Sequence, residues 1–279
     1  MSEERLVPPG AALARKEELF ARTEPDDKKG FLGRWLGRGQ VKTVEVIQTQ
    51  GRRLPALVCL CLLGLSGCLT TGRETTPPNS LATHQSGQWE GDIAAFEAKD
   101  RVSPPPKGCI VFVGSSSIRL WKTLSQDFPG LPVVNRGFGG SQLADSVNFA
   151  DRIIIPYSPR QVVIYAGGND INAGKSPEVV YGDFVALVAK LRSRLPRARL
   201  AFISCQASPS RWAQVEKIRQ FNSQVESYCR SHGVTFINTF PLVLGPDGQP
   251  RPEVFAEDRL HMNEKGYAIW KRAVAPHLR

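Results

Sequence analysis

The chain has 279 residues, of which 41% are hydrophobic and 22% charged, and a formal net charge of +10. That balance excludes a disordered polyelectrolyte, and the scattered basic residues, without an aromatic–basic stripe, exclude nucleic acid as a partner. The basic excess reads as an ordinary soluble surface. Six cysteines show no close pair or Cys/His spacing suited to zinc, so no metal site is expected; Cys109, Cys205 and Cys229 read as small buried hydrophobes.

In chain order, residues 1–50 are polar and mixed in charge, with a candidate helix at Ala11 to Arg22. Residues 51–67 begin with Arg52-Arg53, continue through an apolar run from Leu54 to Leu65 and end in Ser66-Gly67. A charged start, a short apolar core and small residues make a secretory signal, too short to span a bilayer comfortably as a mature helix. Leu65-Ser66-Gly67-Cys68 resembles the lipobox of bacterial lipoproteins, which implies cleavage before Cys68 and lipid attachment to its sulfur. An ordinary signal peptide or a membrane anchor is the alternative. Residues 1–50 fit a start site assigned too far upstream, or else a cytoplasmic extension that makes the apolar run a signal anchor. Residues 68–88, rich in Thr, Ser, Pro and Gly, read as a flexible tether.

From Trp89 to Arg279 strand and helix signals alternate. Short apolar runs predict strands at Cys109-Val113, Val133-Asn135, Gln161-Ala166, Arg199-Ser204 and Val234-Asn238. Helical patterns fall at about Ile118 to Leu124, Leu143 to Ile155, Pro177 to Leu195, Arg211 to Ser231 and Glu264 to Ala275. Asn263 is the expected N-cap of the last. This alternation predicts an α/β fold, a parallel sheet covered on both faces, with ligands beyond the carboxyl ends of the strands.

Three polar blocks follow the first three strands. Gly114-Ser115-Ser116-Ser117 is a strand-to-helix turn whose serines could be helix caps or a nucleophile. Asn135-Arg136-Gly137-Phe138-Gly139-Gly140-Ser141 is a glycine-rich loop that presents a backbone N–H at Gly140. It lacks the Gly-Lys-Ser/Thr of a phosphate loop. Gly167-Gly168-Asn169-Asp170 is a turn, or an Asn side chain aimed at the same pocket. Far downstream, Asp258-Arg259-Leu260-His261 places a carboxylate three residues before an imidazole. Such an acid can accept from Nδ1 and leave Nε2 as a base. His84, His232 and His277 lack such a partner in sequence and read as structural.

The four blocks, in this order, resemble the SGNH (GDSL-type) hydrolase family over about Trp89 to Arg279. The resemblance implies a three-layer, flavodoxin-like sandwich with a five-stranded parallel sheet. It implies Ser116 as nucleophile, His261 as base and Asp258 as its orienting acid. It implies an oxyanion hole from the N–H of Ser116, Gly140 and Asn169. No cofactor or metal is required. The family's Gly-Asp-Ser is here Gly-Ser-Ser, and Ser115 and Ser117 are neighbouring candidates for the nucleophile. The implied activity is hydrolysis of short acyl esters of carbohydrates or small lipids by a lipid-anchored protein of the bacterial cell envelope. The rivals are an O-acyltransferase on the same site and a non-catalytic envelope binding protein.

Overall fold

The computed structural model describes residues 76–206 and 208–279. The candidate helix at 11–22, the signal segment 51–67 and Cys68 lie outside them.

Five strands form one sheet: β1 (Ile110–Gly114), β2 (Val133–Gly137), β3 (Gln161–Tyr165), β4 (Arg199–Ile203) and β5 (Thr235–Ile237). Their order is β2-β1-β3-β4-β5, and every neighbouring pair is parallel. This is the flavodoxin-like order expected of a doubly wound sheet. The sequence places all five strands; the ends differ by one or two residues.

The strands are largely apolar, and β1 and β3 are buried along their whole length, because both faces are covered. Side chains alternate between two cores. Val111, Val113, Val162, Ile164, Leu200 and Phe202 face one, with α4 (Leu143–Ile153), α6 (Pro177–Arg194) and α7 (Val215–His232). Ile110, Phe112, Val163, Tyr165, Ala201 and Ile203 face the other, beneath α8 (Glu264–Val274), where Trp121 and Trp270 are fully buried.

Two expected helices are divided. The pattern at Ile118 to Leu124 is two short pieces, α2 (Ser116–Arg119) and α3 (Leu124–Asp127). The pattern from Arg211 begins as a 3-10 segment, Pro209–Gln214, before α7. The spacing of apolar residues does not register such kinks. A further helix, α1 (Glu90–Val102), carries no apolar stripe to announce it: Ile93 is its one buried residue, and Arg152 holds it by pairing with Glu90 and Glu97.

The tether reading of 68–88 is corrected for its described part. Ser80 donates both its N–H and its hydroxyl to Asp183, each at 2.7 Å. Asp145 meets His84 Nε2 at 2.7 Å and accepts from the Ser86 hydroxyl at 2.6 Å. The composition is that of a linker, but two buried helix carboxylates need partners and this segment supplies them.

Lys175 Nζ lies 3.0 Å from both Asp170 and Asp183, whose side chains are fully buried. Burial pushes Asp170 up to about 6, against the pull of Lys175. Removing the ammonium would leave two uncompensated carboxylates. Lys175→Met is therefore expected to cost about 3–5 kcal/mol, the scale for breaking a buried pair. Chemical denaturation measures this, and a loss below about 1 kcal/mol would mean that the cluster behaves like an exposed pair.

Candidate active site

Strand register sets the site. Gly114 is level with Gly137 on β2 and Tyr165 on β3, so the loops after these three strands leave the sheet at one edge. Gly114 has φ +140°, and a Cβ there would stand 1.9 Å from the Tyr165 carbonyl oxygen. Only glycine fits so close to backbone in that conformation. The chain then turns directly into α2, with Ser116 as its first residue.

Of the three serines, Ser116 is the one that meets the imidazole: its Oγ lies 2.7 Å from His261 Nε2. Ser115 and Ser117 are buried. His261 Nδ1 lies 2.6 Å from Asp258 Oδ2, and Asp258 Oδ1 accepts from the N–H groups of Leu260 and His261, both at 2.9 Å. Partial burial acts to raise the Asp258 pKa, but the imidazole and the two amides outweigh it and hold the carboxyl at about 2. An ionised carboxylate only accepts, so Nδ1 carries the proton and Nε2 is left to accept from the Ser116 hydroxyl.

The loop carrying Asp258 and His261 is fixed at both ends. Phe255 and Met262 form an antiparallel bridge, and Arg259 sits at φ +56° in the tight turn between acid and base. Asn263 caps α8 by accepting from Lys265 and Gly266, as expected, and its amide also donates to the carbonyls of Glu253 and Phe255. One residue thus ties the loop to the helix behind it.

The other two blocks converge. Asn169, in α5 (Gly168–Asn172), donates from Nδ2 to the Ser141 carbonyl at 3.0 Å, one residue past Gly140. Gly140 has φ +80°, and a Cβ there would lie 2.9 Å from the Trp89 ring. The N–H groups of Ser116 and Gly140 have no acceptor among the described residues. Asp170 braces this arrangement by accepting from the Leu143 N–H at the start of α4.

Two contacts were not legible in sequence. Arg211 Nη1 donates to Asn169 Oδ1 at 2.9 Å, and Trp89 packs on the glycine loop. For Arg211 the available signal was its place just after the fourth strand, on the same edge. Among the described residues, no group of three or more His, Cys, Asp or Glu side chains could hold a metal ion. Cys68 lies outside the description, and none of the described helices is long and apolar enough to cross a membrane.

Fold and residue set together define an α/β protein with a serine–histidine–aspartate arrangement at the carboxyl edge of a parallel sheet. The model of the GDSL-like Lipase/Acylhydrolase family matches residues 107–269, more than half the chain, and the chain belongs to this family of SGNH hydrolases. Solved structures share the fold. A Streptococcus pneumonia protein provisionally assigned as a platelet activating factor is 19% identical with a TM-score of 0.62, over 69% of this chain and 94% of that one. A GDSL-like lipase from Bacteroides thetaiotaomicron is 20% identical with a TM-score of 0.59, over 67% and 96%. A catalytic mutant of an acetylxylan esterase from Geobacillus stearothermophilus is 16% identical with a TM-score of 0.52, over 61% and 94%. A search of curated proteins returned no match.

Proposed function

We propose that the protein is a serine carboxylic ester hydrolase acting on short acyl esters of carbohydrates or small lipids. The observation that carries this reading is the unbroken chain from Ser116 Oγ through His261 to Asp258, at 2.7 and 2.6 Å. Ser116 attacks the ester carbonyl while His261 takes its proton and then returns it to the leaving alcohol. The N–H groups of Ser116 and Gly140 and the amide of Asn169 receive the oxyanion. Water, deprotonated by the same imidazole, releases the acid and restores Ser116. The resemblance in fold to an acetylxylan esterase supports small acyl groups. Labelling with a fluorophosphonate probe, followed by a panel of acetyl to long-chain esters, tests the reading. No labelling would reject the serine mechanism, and a preference for long chains above tenfold would reject the short-acyl assignment.

The envelope location is part of the same proposal. Its support is the small-residue, cysteine-ended signal at Leu65 to Cys68. Mass spectrometry of the mature protein is expected to find an N-terminal acylated Cys68, and Cys68→Ser is expected to release the domain from membranes or block its processing. An unmodified chain still beginning at Met1 would count against the anchor.

A further inference from the structure

We infer that Arg211 is a positioning residue that locks the Asn169 amide as an oxyanion donor and strengthens it. This rests on the serine-hydrolase reading above. Arginine has only donors, so the Asn169 atom 2.9 Å from Nη1 must be its oxygen. The Ser141 carbonyl only accepts, so the atom 3.0 Å from it must be the nitrogen. The two contacts agree on one orientation of the amide. They occupy the oxygen and one of the two N–H bonds and leave the second N–H for a substrate oxygen. Without Arg211, the amide would lose the partner that resists its rotation.

The guanidinium also acts through charge. Arg211 is half-buried and makes no ion pair with a carboxylate among the described residues. A hydrogen bond from a cation to the amide oxygen draws electron density from the nitrogen and makes its remaining N–H a better donor. That gain is largest when the acceptor becomes an oxyanion, so it belongs to the transition state rather than to substrate binding. The segment bearing Arg211 is itself pinned to the catalytic loop, since Ser210 N–H donates to the Arg259 carbonyl at 3.0 Å. Arg211 thereby holds the Asn169 amide from a segment fastened to the loop that carries Asp258 and His261.

A double-mutant cycle with Asn169, read on a short-chain aryl ester, tests this. Arg211→Ala is expected to lower kcat about 10–100-fold with KM within a few-fold, somewhat less than the loss of an oxyanion donor itself. Arg211→Lys should recover part of the loss, since it restores charge but not the planar fork. In an Asn169→Ala background, Arg211→Ala should cost less than about threefold, because two residues acting through one donor are not additive. Additive losses, or an effect confined to KM, would overturn the inference. Should Arg211→Ala lose its cooperative melting transition, Arg211→Gln carries the same comparison. Failure of the serine reading is separate: it shows as hydrolysis that survives Ser116→Ala, whatever Arg211 does.

Discussion

Ser116→Ala is expected to abolish fluorophosphonate labelling and lower kcat by roughly 10⁶-fold, the scale on which a triad loses its nucleophile. The residual rate should reflect the oxyanion donors and binding alone. Folding should be untouched. Ser116 is only partly buried, it opens a short helix, and alanine is the best helix former. Ser115→Ala and Ser117→Ala serve as controls, since neither hydroxyl meets His261. Both should keep labelling, although each removes a buried hydroxyl and could lower the melting temperature. Activity within tenfold of wild type in Ser116→Ala, with loss in either neighbour, would move the nucleophile to that neighbour.

Asp258→Asn has the second largest expected effect, a fall in kcat of up to about 10⁴-fold with the fold intact. An asparagine oxygen can still accept from the Leu260 and His261 amides, so the turn survives. Its NH₂ would then face Nδ1 as a donor. That forces the proton onto Nε2, where the Ser116 hydroxyl meets a donor instead of a base. Steady-state kinetics with a thermal melt separates this from unfolding, and a fall below tenfold would remove Asp258 from the relay. The pH dependence follows with a definite sign. Asp258 is held at about 2, below the ordinary carboxylate range, so it stays ionised across neutral and mildly acid conditions. Loss of activity on mild acidification, above about pH 4, should therefore not arise from the Asp258 carboxylate. Any stability that Asp258 adds is present at neutral pH and lost as pH falls from about 4 towards 2. It should be small, because the side chain is half exposed to solvent.

Much of this was written locally. The five strands are short apolar runs that end in glycine or small polar residues, and a run of that kind reports burial on both faces without help from the rest of the chain. Alternation with helices dictated a parallel sheet. A parallel sheet dictates that the segments after Gly114, Gly137 and Tyr165 share one edge. The Asp258 to His261 spacing is likewise local, because an acid and an imidazole three residues apart can meet within one turn.

What sequence could not contain is distance across the fold. Ser116 and His261 are 145 positions apart, and only the packing of α8 against the sheet brings Oγ and Nε2 to 2.7 Å. The choice of Ser116 over its neighbours is a matter of which hydroxyl the turn after Gly114 directs at the imidazole, and three adjacent serines look alike until that turn is built. The Arg211 to Asn169 bond, the grip of Ser80 and His84 on the buried carboxylates Asp183 and Asp145, and the seat of Trp89 over Gly140 have the same cause. Local residue type sets which element forms and which chemistry it carries. Burial removes the water that would otherwise satisfy those polar groups, so their partners are chosen by whichever segment the tertiary structure brings within hydrogen-bond reach.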